Sequence, residues 1–209
     1  MLPCTIYGIA VGPLVDLGLQ HAHAHRIPTL VKIGVERGQG GVIGLGKNIW
    51  SHVHISDGAF PFRLLYNHLS FHDAIHFLIF LAQLLFHFGP TLTLTTHMVV
   101  ADLYILIFDK IQSVAPVGHG RTGLYFCENG EYIMQDLATT ITRALHARGK
   151  SMTPTPTTFA VEEIQRYFPQ GTMFGANSRC KAERSRAIGW RPTKEPQEFL
   201  VSVEAEIPN

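Results

Sequence analysis

The stretch GGVIGLGKN, ending at Asn48, is the first place in this chain where residue types and spacing suggest chemistry. Gly41, four residues, then Gly46 and Lys47 approximate a phosphate loop, while Gly38, Gly41 and Gly44 have the GxxGxxG spacing of a dinucleotide-binding turn. Either loop holds an anion on helix N-terminal N–H groups, so it must follow a strand and open a helix. Histidine is the second candidate. His68, His72 and His76 fall on one helical face with Asp73 adjacent, and His21, His23 and His25 alternate in HAHAH. Imidazoles at such spacings can share a metal ion. The plainer reading is a solvated face or noncoding-like sequence for the first set and a loop for the second, and no metal site is assigned. Cys4, Cys127 and Cys180 lie far apart, without paired spacing for zinc or a disulfide framework, which suits a reducing, cytoplasmic compartment.

The elements that must position these residues decide the phosphate question. In IPTLVKIGVERG, Ile27, Leu30, Val31, Ile33 and Gly34 follow a helical period, with Pro28 in the first turn and Gly38 just past the end. GVIG and NIWSHVHI then read as two strands of a β-hairpin joined by the LGK turn. The glycines therefore follow a helix and precede a strand, the reverse of a phosphate loop. Asn48 also stands where a Ser or Thr would ligate magnesium. They are turn residues. The opening MLPCTIYGIAVGP reads as the end of a buried strand running into a loop. Further along, ADLYILIFDKIQSV is an amphipathic helix and GLYFCENG a strand ending in an Asn-Gly turn. EYIMQDLATTITRALHARGK is a long helix with Glu131 in its first turn and Gly149 at its end. FAVEEIQRYFP forms a short helix, Asn177 or Ser178 caps SRCKAERSRAIGW, and KEPQEFLVSVEAEI is a last helix with Pro196 in its first turn.

A length of 209 residues suffices for one domain with a core, and a formal net charge of +1 argues against a dedicated nucleic-acid surface. The strongest apolar run, Ile75 to Phe88, carries two histidines and a glutamine and is shorter than the roughly 20 residues of a spanning helix. No signal peptide and no membrane association are expected. The expected partner is a small molecule, and homo-oligomerisation is allowed.

Five segments occur in an order that resembles the C-terminal half of the NAD(P)-dependent epimerase/dehydratase family, the extended or atypical short-chain dehydrogenases, with a fungal branch the nearest. They are PCTIYGIAVGP, VKIGVERGQGGVIGLGKNIWSHVHISD, ADLYILIFDKI, GLYFCENGEYIMQDLATTI and NSRCKAERSRAIGWRP. The resemblance implies an α/β fold, the C-terminal part of a Rossmann-like sheet whose N-terminal cofactor half is missing. It implies NAD(P) as cofactor, with Pro3, Thr5 and Ile6 flanking the nicotinamide end. Tyr7 and Gly8 would begin the loop over the substrate, and Trp50, His54 and Arg179 would complete the substrate side. Trp50 takes the place of an Arg that commonly clasps a substrate diphosphate, which favours a neutral aldehyde, ketone or hydroxy compound; the alternative for Trp50 is a core aromatic. His54 and Asp57 align with the family's hairpin, and Asp57 is also a candidate helix N-cap. The family's catalytic Tyr-x-x-x-Lys pair is absent. The six tyrosines are followed four places on by Val11, Ser70, Phe108, Asn129, Asp136 and Gly171. Two functions stay open: a portion of an oxidoreductase or epimerase that tailors a secondary metabolite, and a non-catalytic fragment that binds a small molecule or a partner.

Residues 58–99 fit nothing in the family and divide the chain into 1–57, 58–99 and 100–209. They are poor in charge and rich in Phe, Leu and His, and are expected to be poorly ordered. A retained intron accounts for them. Gly58 reads as a donor, Leu-Thr at 92–95 as a branch point and Val99–Val100 as an acceptor, and the joined frame restores HISDVADLYILIF.

Overall fold

The computed structural model describes residues 2–11, 13–18, 21–55, 101–113, 117–194 and 196–208. The inserted segment 58–99, Asp57 and the His68–His72–His76 set therefore lie outside the described residues. In chain order the elements are β1 (Leu2–Pro3), β2 (Thr5–Tyr7), α1 (Pro13–Asp16), α2 (Arg26–Arg37), β3 (Gly41–Val42), β4 (Ile49–His54) and α3 (Ala101–Gln112). There follow β5 (Phe126–Cys127), β6 (Glu131–Ile133), α4 (Met134–Ala147), β7 (Thr157–Thr158), α5 (Val161–Tyr167), α6 (Glu183–Ala187) and α7 (Glu198–Ala205). The architecture is mixed α/β, with helices packed on small parallel and mixed sheets.

The alternating run at 49–54 forms β4, which is the centre of a three-stranded sheet ordered β2–β4–β6. β2 lies parallel to it, pairing Thr5 with His52 and Tyr7 with His54. Parallel neighbours need a long crossover, and α2 supplies it. That helix begins at Arg26, one residue before the apolar period, and ends at Gly38, whose φ of 71° lets its N–H bond back to the last turn. β6 closes the other edge antiparallel, with Trp50 opposite Tyr132.

Three expectations change. The hairpin between GVIG and NIWSHVH does not close: β3 pairs with β7, in parallel, and β4 lies between β2 and β6. Left-handed Gly44 and Gly46 (φ 63° and 65°) swing the chain through a wider loop instead of a two-residue turn. Residues 131–133 are strand, and the long helix starts only at Met134, because the open edge of β4 takes them as its ladder partner. Asn177 and Ser178 do not cap α6, which starts at Glu183. Asn177 Oδ1 instead accepts the Ile49 N–H at 2.7 Å, and Ser178 bridges Trp50.

Two clusters of buried side chains lie on the two sides of the central sheet. The larger gathers Ile27, Leu30 and Val31 of α2, Leu137, Ile141 and Leu145 of α4, and Phe199 and Val203 of α7. These spacings of three and four put one apolar stripe of each helix against the others. The smaller gathers Val53, Ile55, Leu103, Tyr125, Cys127, Ala182 and Trp190. Among the described residues no helix is long and apolar enough to cross a membrane.

Candidate functional site

Strand alternation sorts the central sheet into two faces. Thr5 and Tyr7 of β2, Trp50, His52 and His54 of β4, and Tyr132 of β6 share one face because their registers align them. Cys4, Ile6, Ser51 and Val53 point the other way. Five of the residues picked out from the sequence are thus positioned by two neighbouring strands, with Thr5, Tyr7, Trp50 and His54 on one face and Ile6 on the other. Pro3 is half-buried in β1, opposite Cys127.

The first face is packed ring on ring. Tyr7, 2% exposed, meets His52, His54 and Phe199 edge-on at 5.2, 4.8 and 4.9 Å. Phe199 stacks on His52 at 4.6 Å and lies 4.4 Å from Tyr132. Gly8 follows Tyr7 with φ 92°, and a Cβ there would stand 2.4 Å from His54 Nε2. Only a residue without a side chain lets the turn and the imidazole come together this closely. Thr5 Oγ1 and Tyr132 Oη share a hydrogen bond of 3.4 Å.

Burial sets the ionisation of this face. It pushes Tyr132 up to about 12, although the Thr5 hydroxyl and the charge of Arg26 pull the other way. It lowers His52 to about 4, and His52 Nδ1 has no hydrogen-bond partner among the described residues. Both groups are neutral at pH 7, so neither transfers a proton readily.

Trp50 is 4% exposed, and its Nε1 donates to Ala176 O at 2.6 Å. Its ring stacks on Phe174 at 5.4 Å and carries the Arg26 guanidinium at 4.8 Å. It is a core aromatic in this structure. Arg26 thus brings a cation over Trp50 from α2, which sequence spacing gave no reason to expect. Arg179 lies at the other edge of the sheet, where Nε and Nη2 donate to the two oxygens of Glu131 at 2.9 and 2.7 Å. The pair lowers the Glu131 carboxyl and raises Arg179. Its charge is already matched.

Among the described residues, no three His, Cys, Asp or Glu side chains converge on a metal position. His21, His23 and His25 are exposed, and His23 Nδ1 pairs with Glu206 at 2.6 Å. The turn glycines of GGVIGLGKN lead into β4 and not into a helix, and Lys47 is exposed. These glycines therefore form no phosphate cradle, and in the segment Pro3–Ile6 the Thr5 hydroxyl is engaged by Tyr132.

The opposite face holds groups that sequence reasoning did not bring together. Cys4 Sγ donates to Cys127 O at 2.9 Å, and the Cys180 thiol is its neighbour. Cys180 N donates to Ser51 Oγ at 3.0 Å. Beside them opens a cleft of about 470 Å³, lined by Glu128, Gly130, Glu131, Cys180, Lys181 and Arg186 among others. The cysteines are separated by more than fifty residues in each interval, so only the strand register reveals the cluster.

No protein-family model matches the chain. The chain is similar to oxidase ucsJ of Acremonium sp, with 26% identity over 209 aligned residues, a match covering 97% of this chain and 49% of that protein. The chain therefore spans about half the length of the curated relative it matches.

Proposed function

We propose that the chain is the substrate-side portion of an NAD(P)-dependent oxidoreductase that acts on a small, neutral carbonyl or hydroxy compound, of the kind that tailors secondary metabolites. The observation that carries this reading is the junction of Tyr7, Gly8 and His54 at one end of the aromatic face. The resemblance to short-chain dehydrogenases puts substrate beside that turn. The likeness to a fungal oxidase along nearly the whole chain supports the oxidoreductase class.

In this reading Gly8 and His54 shape the wall and His54 orients an oxygen of the substrate. Tyr7 and Phe199 keep water out from behind. A neutral substrate follows from the charges: Arg179 is matched by Glu131, and Trp50 contributes an indole already bonded to Ala176. NAD(P), when bound, supplies or accepts the hydride. The chain has no Tyr-x-x-x-Lys pair, so this reading assigns neither the general acid nor the cofactor's phosphate grip to these residues. A non-catalytic binding fragment is the second reading, and that same missing pair favours it.

The test extends the reading frame upstream of Met1 and assays the longer protein with NADPH against neutral aldehydes and ketones and against nucleotide sugars. An in-frame strand–glycine turn–helix and turnover of the neutral set are expected. Turnover of nucleotide sugars alone would overturn the substrate class. An upstream frame without a dinucleotide turn would overturn the oxidoreductase reading and leave the binding fragment.

A further inference from the structure

We propose that Cys180 and Cys4 form a redox-responsive pair: a peroxide entering the cleft oxidises Cys180, and Cys4 resolves it to a Cys4–Cys180 disulfide. This inference rests on the thiol face of the sheet and is independent of the proposed function.

Strand register brings the two thiols together. Thr5 pairs with His52, so one step back along the same parallel ladder Cys4 stands beside Ser51, on the face opposite the aromatic rings. Ser51 in turn ties down Cys180 from both sides of its peptide group. The Cys180 N–H donates to Ser51 Oγ at 3.0 Å, and the Ser51 hydroxyl donates to Cys180 O at 3.3 Å. Cys4 donates its S–H to Cys127 O at 2.9 Å, and the Cys4 and Cys180 thiols are near enough for each to shift the other's acidity. All three cysteines are free thiols in this structure.

The two sulfurs differ in access and acidity, as an attacking and a resolving thiol must. Cys180 lines the cleft, whereas Cys4 does not. The neighbouring Cys4 thiol lowers Cys180 to about 7, helped by the Ser51 hydroxyl and opposed by burial and by the charges of Glu128 and Glu131. Burial pushes the Cys4 thiol up. Cys4 therefore keeps its proton while Cys180 becomes the thiolate. Cys127 is fully buried on β5 and does not line the cleft. Glu128, whose carboxylate accepts the N–H groups of Gly130 and Ala182 at 2.7 and 3.0 Å, fixes the backbone around the opening.

The chemistry balances in two steps. The Cys180 thiolate attacks one oxygen of hydrogen peroxide: an S–O bond forms, the O–O bond breaks, and the departing hydroxide takes a proton to become water. Cys180 is now a sulfenic acid, oxidised by two electrons. Cys4 sulfur then attacks Cys180 sulfur: an S–S bond forms, the S–O bond breaks, and hydroxide leaves with the proton of Cys4 as a second water. Two thiols and one peroxide become one disulfide and two waters. The product ties the residue ahead of β2 to the segment that follows Arg179.

The test treats the reduced full chain with equimolar hydrogen peroxide, blocks remaining thiols with N-ethylmaleimide and maps peptides by mass spectrometry. The expected product is an intramolecular Cys4–Cys180 disulfide with Cys127 alkylated. Cys4→Ser should leave Cys180 as a sulfenic acid that dimedone traps, and Cys180→Ser should slow peroxide consumption at least tenfold. Cys127→Ser should change neither. A Cys4–Cys127 bond, a bond between chains, or three alkylated cysteines after tenfold excess peroxide would each overturn the proposal. The mapping on the unaltered chain decides the matter even if a variant fails to fold.

Discussion

On one face of the central sheet Tyr7, His52, His54 and Tyr132 pack ring against ring with Phe199, and on the other Cys4, Ile6, Ser51 and Val53 lie with Leu103, Tyr125, Trp190 and two more cysteines. The same three strands build both faces, yet polar atoms fare differently on each. The aromatic face keeps its titratable groups neutral by desolvation, as His52 and Tyr132 show. The thiol face keeps its groups close enough to bond one another beside an open cleft, which leaves Cys180 more acidic than an ordinary thiol.

The largest expected effect strikes the aromatic face at its keystone. Phe199 is 1% exposed and touches Tyr7, His52 and Tyr132. Phe199→Ala should lower stability by about 3–5 kcal/mol in urea titration, while leaving disulfide formation in peroxide-treated folded chain intact. If loss of Phe199 also abolished the Cys4–Cys180 bond under conditions where the chain stays folded, the two faces would not be separable.

The next effect is on acid stability. His52 titrates near 4 when folded against 6.5 in an exposed state. As pH falls through that window the unfolded chain takes up the proton first, so stability is complete above pH 6.5 and drains away toward pH 4. The loss should reach about 3 kcal/mol, and His52→Gln should flatten this part of the profile. Tyr132 gives the mirror image at high pH: its folded value of about 12 lies above that of an exposed phenol, so stability falls as pH rises past 10.

Gly8→Ala comes third. Its φ of 92° costs an L-residue about 1–2 kcal/mol, and its new methyl group would displace the His54 ring. Chemical-shift changes should concentrate at Tyr7 and His54 and spare Cys180. The smallest effect is expected at the sheet edge. Arg179→Ala should barely move the urea midpoint, because an exposed ion pair is screened by solvent. Its visible consequence is that the Glu131 carboxyl returns upward to its ordinary range.

The elements with strong apolar periods were legible from residues alone: α2 with its Gly38 stop, α3 from Ala101 and α4 through to the Gly149 turn. What could not be read was which strand pairs with which. GVIG and NIWSHVH adjoin in sequence and look like a hairpin, yet β4 is satisfied by β2 and β6, elements more than forty residues away on one side and more than seventy on the other. The same limit governed the site. Tyr7, Gly8 and His54 could be nominated because their types and motifs speak, whereas Cys4 and Cys180 become neighbours only through the Thr5–His52 register and the Ser51 hydroxyl.

The central claim is that this chain carries a substrate wall without a dinucleotide grip of its own. The most direct measurement is a fluorescence titration of NADPH into the chain, beside the same titration into the upstream-extended protein. The account predicts saturable binding by the extended protein alone, with a linear, unsaturated response from the 209-residue chain. Saturable micromolar binding by the 209-residue chain itself would contradict it.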